Sequence, residues 1–263
     1  MNDAVLYEVD SGIVTLTLNR PEKRNPISEH DVVEGLVAAL GRVQAEETAR
    51  AVILTGAGSA FSSGGDLRAM EAALDERTRN PTSTIAYYTD GIQRIPLAFE
   101  ALDVPVIAAV NGPAIGAGTD LACMCDLRSA AEGARFAESF VKIGIIPGDG
   151  GAWLLPRIVG WSKACEMAFT GDVLSAEEAL ACGLVSKVVP GPELMDVARA
   201  LANRIAVNPP LAVRATKRPL REGRFAPLGT LLQLSASAQA IAHTTAEHRE
   251  ALAQALAPRP PRS

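Results

Sequence analysis

Two glycine-rich segments of this 263-residue chain each follow a short apolar run and contain an acid. The first reads GSAFSSGGDL over residues 58–67, and the second reads NGPAIGAGTDL over residues 111–121. Glycine lets a ligand approach the backbone closely, and the free N–H groups at a helix start favour negative charge. Two such loops lying side by side could direct two backbone donors at one developing oxyanion.

Each of these features also has a purely structural explanation. The glycines could serve only tight turns, because a lone G-x-G is weak evidence for a ligand site. Asp120 could cap or charge-stabilise the helix predicted to begin beside it. Asp149 lies in a further glycine-rich stretch, PGDGGAW, where it could cap the following helix.

The elements that must position these loops follow from the hydrophobic pattern. Alternating residues over 4–9 and 12–18 predict a β-hairpin, and Ser28 begins an amphipathic helical stretch. Buried strands are predicted over 51–58 and 105–112, and each ends in a glycine turn. Two strand, glycine-turn, helix units in succession predict an α/β fold whose glycine loops meet if the two strands are neighbours.

The second half of the chain is richer in helix. DLRSAAEGARFAE predicts a strand and a turn, GGAWLLPRIVG a short helix broken near Pro156, SKACEMAFTG a helix that stops at Gly171, and GLVSKVV a strand. Beyond this strand the pattern is almost wholly helical. We therefore divide the chain into a core over 1–190, a helical C-terminal region over 191–257, and a proline-rich tail over 258–263 that we expect to be disordered.

Composition excludes several classes of protein. A net charge of -5 argues against nucleic acid and anionic membrane as partners, and 48% hydrophobic residues indicate a folded globular chain. The acidic start MNDAVLYEVDSG does not resemble a signal peptide, and no apolar stretch is long enough to span a membrane, so we expect a cytoplasmic protein. The four cysteines lack zinc-ligand spacing, so we expect reduced core thiols and no metal site.

The two glycine loops together are more specific than either alone, and with their flanking segments they resemble the crotonase superfamily, the enoyl-CoA hydratase/isomerase family. The resemblance covers nearly the whole chain. It rests on PEKRNPIS, AVILTGAGSAFSSGGDL, PVIAAVNGPAIGAGTDLACMCDLR, ARFAESFVKIGIIPGDGGAWLLPRIVG and GLVSKVV, in the order that the family uses. It implies a crotonase-like spiral of repeated ββα units, a helical C-terminal region for trimerisation and pocket cover, and a homotrimer or dimer of trimers.

The resemblance also implies the chemistry. The substrate is a coenzyme A thioester, no cofactor is bound permanently, and an enolate-like anion forms on the thioester. By motif position, the main-chain N–H groups of Ser63 and Ala117 hold the thioester oxygen, and Asp120 handles the proton.

Further candidate residues would bind the CoA part of the substrate. Lys23 and Arg24 resemble the family's phosphate contacts, although they could equally be solvated charges on a turn. Ala60 and Phe61 are candidate lining of the pantetheine path, with core packing as the alternative for Phe61. The remaining candidates are Gly64 and Gly116, which shape the two loops.

The chain departs from the hydratase pattern at both acid positions. Hydratases of this family use two glutamates, whereas this chain has Asp120 at the first position and Phe140 at the second. Aspartate at the first position is similar to the family's dienoyl-CoA isomerases. Phe140 cannot transfer a proton, which leaves Glu138 and Asp149 as candidates for the second acid. Two residues along a helix turn a side chain by about 200°, which disfavours Glu138.

We therefore predict an acyl-CoA enzyme, with reversible addition of water to a 2-enoyl-CoA as the leading reaction. The first alternative is a double-bond isomerase of enoyl-CoA or dienoyl-CoA that uses Asp120, since isomerisation needs no positioned water. A second is a non-catalytic acyl-CoA-binding member of the family. A third is a thioester hydrolase or dehalogenase-like enzyme in which Asp149 attacks the substrate.

Overall fold

The computed structural model describes residues 3–257. Its strands are β1 (Val5–Asp10), β2 (Ile13–Leu18), β3 (Ala51–Gly56), β4 (Val106–Val110), β5 (Ala114–Ile115), β6 (Leu127–Ala131), β7 (Arg135–Ala137), β8 (Leu174–Ser175) and β9 (Lys187–Val189). Its helices are α1 (His30–Ala45), α2 (Leu67–Ala72), α3 (Leu74–Arg79), α4 (Pro81–Tyr87), α5 (Arg94–Ala101), α6 (Ala117–Met124), α7 (Gly151–Val159), α8 (Trp161–Thr170), α9 (Ala176–Ala181), α10 (Leu194–Ala206), α11 (Pro210–Glu222), α12 (Leu228–Ala242) and α13 (Ala246–Leu256). The predicted tail lies outside the described residues.

A six-stranded sheet in the order β1-β2-β3-β4-β6-β9 forms the centre of the molecule. β1 and β2 form the predicted antiparallel hairpin, and every other neighbouring pair in this sheet is parallel. The register pairs Leu54 of β3 with Ala108 of β4. The two strands therefore end at the same edge of the sheet, and the two glycine-rich loops leave that edge side by side. The predicted α/β class with a helical C-terminal region is confirmed.

Helices cover both faces of this sheet. β3 and β4 are buried along their whole length, as expected of parallel strands with both faces packed. One face packs with α1, α5 and α6, through side chains such as Leu36 and Leu121. The other face packs against α10, through Leu194, Ala198 and Ala202. The first helix of the predicted C-terminal region therefore completes the core of the sheet, while the division at residue 190 stays a prediction.

Several local predictions can be compared with the observed elements. α1 begins at His30, two residues after Ser28, and Glu29 precedes it without a side-chain cap. The predicted break at Pro156 is wrong, because α7 continues through Pro156 while buried Leu154 and Leu155 hold it on the core. α8 does end at Gly171, which adopts a left-handed conformation with φ of +63°.

The small second sheet, in the order β5-β7-β8, connects the second glycine loop to the segment after β6. β5 pairs in parallel with β7, and the Gly116 N–H donates to the Ala137 carbonyl oxygen at 2.7 Å. Ala137 ends β7, so Glu138 leaves the strand directly beside the start of α6. The sheet thereby brings Glu138 close to Asp120, although the two residues are 18 positions apart in the sequence.

Two further expectations concern chemistry and environment. All four cysteines are free, and burial raises the pKa of Cys123 and raises that of Cys125 to about 12. Both of these residues are therefore inert core thiols. Within residues 3–257, no helix combines the length and the apolar character needed to cross a membrane.

Candidate active site

Asn25 holds the first glycine-rich loop in place through hydrogen bonds. It is buried and has a φ of +56°, a conformation that asparagine tolerates better than most residues. Its amide donates to the carbonyl oxygens of Ala57 and Ala60, both at 2.9 Å, and its side-chain oxygen accepts from the Arg20 N–H. The Ser62 hydroxyl donates to the Asn25 carbonyl oxygen at 2.7 Å. The segment PEKRNPIS therefore braces this loop.

The two glycine loops are in direct contact. The Ile115 N–H donates to the Ser62 carbonyl oxygen at 3.0 Å. Gly64 has a φ of +80°, and any side chain there would collide with the Ile115 carbonyl oxygen and come within 3.0 Å of the Ala117 nitrogen. A glycine at position 64 is thus required for the first loop to lie against the start of α6.

Backbone donors at this contact are the candidate oxyanion hole. Among the residues that the structure describes, the N–H groups of Gly65 and Ala117 have no acceptor. Ala117 is the first residue of α6, so its N–H also lies at the positive end of the helix dipole. The Ser63 N–H donates to the Arg24 carbonyl oxygen at 2.8 Å. The prediction of Ser63 as a donor is therefore wrong, and Gly65 is the free donor in the same loop.

Three buried carboxyl groups meet beside this loop. Asp120 comes from the first turn of α6, Glu138 follows β7, and Asp149 precedes α7; each side chain is at most 2% exposed. The Asp120 carboxyl interacts with both other acids and with the Gly151 N–H. Within the described chain, however, none of the six carboxyl oxygens has a hydrogen-bond partner of normal geometry. A side chain at Gly151 would collide with the Asp120 carboxyl, so glycine is required there.

Burial controls the protonation of this carboxyl cluster, defined as Asp120, Glu138 and Asp149. Burial raises the pKa of Asp120 well above its ordinary value, and the neighbouring charge of Glu138 raises it further. Burial, followed by the charge of Asp120, does the same to the pKa of Asp149. Burial raises the pKa of Glu138 to about 7. Carboxyl groups in contact cannot all ionise, so the cluster retains protons at neutral pH.

The presence of Glu138 in the cluster corrects the helical argument against it. Glu138 has φ of -88° and ψ of 66°, and it lies between a strand and a short 3₁₀ turn over Ser139–Ile143. No helical rotation therefore separates it from the site. The capping alternatives also fail, because Gly150 occupies the N-cap of α7 and no side chain caps either α6 or α7.

An aromatic ring takes the place of the second hydratase acid. Phe140 is partly buried, and its ring lies 3.6 Å from the position that a side chain on Gly116 would take. Tyr88 also lies near the cluster: burial raises the pKa of Tyr88, and the neighbouring Asp149 carboxyl raises it further. A side chain on Gly148 would come within 3.0 Å of the Tyr88 ring. The loop that carries Asp149 is therefore packed tightly against Tyr88.

The predicted CoA contacts divide into two groups. Lys23 and Arg24 lie at the outer end of the first loop, where their carbonyl oxygens accept from the Ser63 hydroxyl and N–H respectively. The Lys23 ammonium pairs with Glu29 at 2.6 Å. Their role in binding phosphate stays a prediction.

The other group is buried. Ala60 is 2% exposed, and its carbonyl oxygen is bound by Asn25. Phe61 is fully buried in the main core, so its side chain packs there and does not line an open path. The prediction that the Phe61 side chain contacts pantetheine is therefore wrong for this chain. Across residues 3–257, no group of three or more His, Cys, Asp or Glu side chains is arranged to hold a metal ion.

Comparisons with known proteins agree with this geometry. The chain matches the enoyl-CoA hydratase/isomerase family over residues 8–259. It is 37% identical to the 1,2-epoxyphenylacetyl-CoA isomerase of Escherichia coli (strain K12), over 99% of this chain and 98% of that protein. It is 35% identical to the short-chain-enoyl-CoA hydratase of Clostridium acetobutylicum, over 94% of this chain and 92% of that protein.

A solved structure extends the similarity to the fold. The crystal structure of an enoyl-CoA hydratase from Bacillus anthracis superposes with a TM-score of 0.87 at 36% identity, covering 95% of this chain and 94% of that one. The matched length includes both glycine loops and all three acids of the carboxyl cluster. The chain therefore belongs to the crotonase superfamily and is an acyl-CoA enzyme of the enoyl-CoA hydratase/isomerase type.

Proposed function

We propose that this enzyme shifts a carbon–carbon double bond within an enoyl-CoA thioester, and that Asp120 carries the proton. One observation carries the proposal: Asp120 contacts two other buried acids, while the ring of Phe140 lies beside Gly116. Hydration requires two groups that hold and activate a water molecule, whereas isomerisation requires one group that removes and returns a proton. A single acid in contact with other acids, with an aromatic ring beside Gly116, suits the second reaction better.

The proposed reaction begins with a 3-enoyl-CoA. The Asp120 carboxylate removes a proton from the α-carbon, and the electron pair of that C–H bond moves towards the thioester oxygen to give a dienolate. The N–H groups of Gly65 and Ala117 stabilise the negative oxygen. Protonated Asp120 then returns the proton to the γ-carbon, which leaves a conjugated 2-enoyl-CoA. Losing one donor of this kind costs about 3 to 4 kcal/mol of transition-state stabilisation.

Glu138 is the group that we assign to holding Asp120 in place. A neutral acid beside a carboxylate can donate a hydrogen bond to it, and two charged carboxylates in contact would repel each other. With the pKa of Glu138 raised to about 7, the pair can hold one proton and one negative charge near neutral pH. The contact between the two acids raises the pKa of Asp120 and lowers that of Glu138, so the shared proton rests on Asp120, and Asp120 serves as the base after it passes this proton to Glu138.

The experiment compares a 3-enoyl-CoA with crotonyl-CoA as substrates and follows the absorbance of the conjugated thioester. We expect conjugation to appear with the first substrate, and Asp120→Asn to lower kcat by about 10² to 10⁴. Asp172→Asn is the matched control, because the Asp172 side chain is 72% exposed and lies outside the site. Hydration of crotonyl-CoA at a higher kcat/KM than isomerisation would contradict the proposal.

Hydration is the second candidate, because Asp149 contacts Asp120 and the two acids could hold a water molecule together. The variant Asp149→Asn separates the two reactions. It should abolish hydration if Asp149 is the second acid, and it should leave isomerisation within about tenfold of the parent rate, because only Asp120 moves the proton. Attack by Asp149 on the substrate is a further alternative, and a covalent adduct on Asp149 trapped in a single turnover would support it.

The assembly and environment complete the proposal. Helix α12 contains no buried residue and exposes Leu228, Leu232 and Ile241, which supports a homotrimer or a dimer of trimers. Free cysteines suit the reducing cytoplasm. We propose the CoA thioester as substrate, with no permanently bound cofactor. Light scattering after size exclusion tests the assembly, and a monomeric mass would contradict it.

A further inference from the structure

A buried hydroxyl group joins three elements that meet at the carboxyl cluster. Thr119 is the third residue of α6, and it is fully buried. Its hydroxyl donates to the Ala114 carbonyl oxygen at 2.6 Å and accepts from the Ala137 N–H at 3.2 Å; the Ala137 carbonyl oxygen is a second, longer acceptor at 3.2 Å. A hydroxyl has one proton and two lone pairs, so it can donate and accept at once. The Thr119 side chain therefore connects α6 to β5 and to β7.

The two strands that Thr119 joins are short. β5 has two residues and β7 has three, and their ladder pairs Ala114 with Phe136 and Ile115 with Ala137. A ladder of this length contains few hydrogen bonds, so by itself it fixes the relative position of the strands weakly. The Thr119 hydroxyl bonds both strands at this ladder, and it thereby fixes where β7 ends relative to α6.

The residues that this hydroxyl connects are chain neighbours of two acids of the carboxyl cluster. Asp120 directly follows Thr119, and Glu138 directly follows Ala137. The carboxyl groups of Asp120 and Glu138 interact with each other. Thr119 and Ala137 are at most 1% exposed, so solvent cannot take the place of the hydroxyl. A shift of β7 against α6 would therefore change the distance between the two carboxyl groups.

We propose that Thr119 is a positioning residue whose hydroxyl sets the contact between Asp120 and Glu138, across which the proton passes when Asp120 becomes the base. In this step an O–H bond of the Asp120 carboxyl breaks and one forms on the Glu138 carboxylate, so the total charge of the pair does not change. Such a transfer requires two oxygens within hydrogen-bond reach, about 2.6 to 3.2 Å. Thr119 touches no reacting atom, and it acts through the two acids.

The inference rests on the proposed function for the direction of the proton transfer, whereas the contact between the two acids is independent of the reaction. Other titratable groups surround this pair. Asp149, before α7, interacts with Asp120, and Tyr88 lies near Asp149. Cys123 of α6 lies near both acids, and the charge of Arg128 in β6 acts on Cys123. All four groups are retained in the variants below, so a changed titration reports on the contact within the pair.

Two acids in contact release their protons at separate apparent pKa values, because the first negative charge opposes the second. A looser contact brings these two values together. Infrared spectroscopy of protonated carboxyl groups, titrated over pH and compared with Asp120→Asn and Glu138→Gln, measures this separation without any substrate.

The variants differ in whether they keep the hydroxyl. Thr119→Val replaces it with a methyl group, which leaves the buried Ala137 N–H without this acceptor, and Thr119→Ser retains it. The matched control is Thr55→Val in the central sheet, because the Thr55 hydroxyl is also buried and donates to a backbone carbonyl oxygen, that of Ala109, at 2.9 Å. If Thr119→Val does not fold, Thr119→Cys is judged by the same criterion, since a thiol makes only weak hydrogen bonds.

We expect Thr119→Val to narrow the separation by about one pKa unit or more, and to lower kcat with a 3-enoyl-CoA by about 10- to 100-fold. Thr119→Ser and Thr55→Val should keep the separation of the parent. An unchanged separation in Thr119→Val, or equal narrowing in Thr119→Ser or Thr55→Val, would overturn the inference and leave the proposed reaction standing. If the expected narrowing appears while the parent isomerises no 3-enoyl-CoA, the positioning role stands and the proposed reaction falls.

Discussion

Replacing Glu138 with glutamine tests the electrostatics of the carboxyl cluster without relying on any reaction. Glu138 is 1% exposed, and burial raises its pKa from an ordinary value of 4.5 to about 7. The native state therefore binds a proton at Glu138 over a pH range in which the unfolded state has already released it. The stabilising contribution is fully present below the unfolded pKa, and it is lost as the pH rises through about 7.

The size of this effect follows from the pKa change. Each unit corresponds to about 1.4 kcal/mol, so a rise from 4.5 to about 7 represents about 3 kcal/mol over the whole range. Between pH 5 and pH 8, about 2 to 3 kcal/mol of the free energy of unfolding should be lost through Glu138. Glutamine has nearly the same shape and does not ionise, so Glu138→Gln should lose none of this amount.

Urea denaturation of the parent, Glu138→Gln and the control Glu132→Gln at both pH values measures the effect. Glu132 is exposed, so its replacement should leave the pH dependence unchanged. We expect the stability of Glu138→Gln relative to the parent to rise by about 2 to 3 kcal/mol from pH 5 to pH 8. A relative stability that stays within 0.5 kcal/mol between the two pH values, roughly the error of such extrapolations, would refute a buried, proton-holding Glu138.

Three further predictions concern single positions. Gly151→Ala should lower kcat by at least about tenfold in a 3-enoyl-CoA assay, because the new methyl group collides with the Asp120 carboxyl; an unchanged kcat would contradict this packing. Lys217→Met should reduce the free energy of unfolding by about 3 kcal/mol in urea, because it removes the 2.6 Å ion pair of buried Lys217 with Asp126; a loss below 1 kcal/mol would mean that the pair is dispensable. Ser63→Ala should leave kcat/KM within about threefold, since it removes only the hydroxyl, which bonds the Lys23 carbonyl oxygen; a hundredfold loss would show that this hydroxyl acts in the site.

Local patterns were sufficient to predict the framework of the site. The runs that became β3 and β4 are short, apolar and β-branched, and each stops at a glycine turn, so neither depends on distant contacts for its identification. Asp120 was predicted for the same reason, because it follows the second glycine loop directly. The structure places Asp120 in the first turn of α6, beside that loop, as the sequence analysis expected.

Predictions that depended on backbone details were less successful. Ser63 and Gly65 are two residues apart in one loop, and which N–H is free depends on a bond from Ser63 to Arg24, 39 positions earlier. No pattern within the loop encodes that bond. Glu138 was disfavoured because a helix was assumed around it, whereas it follows a strand of only three residues that forms by pairing with β5. Strands this short leave too little period-two signal to recognise.

The point at which β7 ends also determines where Glu138 and Phe140 lie relative to the hydratase pattern. Because β7 ends at Ala137, Glu138 points to α6 while Phe140, two residues later in the 3₁₀ turn, lies against Gly116. This chain thus carries an acid two residues before the position of the second hydratase acid, where it contacts Asp120 and is 1% exposed. A site with this arrangement retains an acid that can move a proton. It lacks a carboxyl group at position 140 that could help to hold a water molecule. If Phe140→Glu creates crotonyl-CoA hydration that Phe140→Leu does not, the position of this one carboxyl decides between the two reactions; if both variants hydrate equally, the distinction must come from another residue.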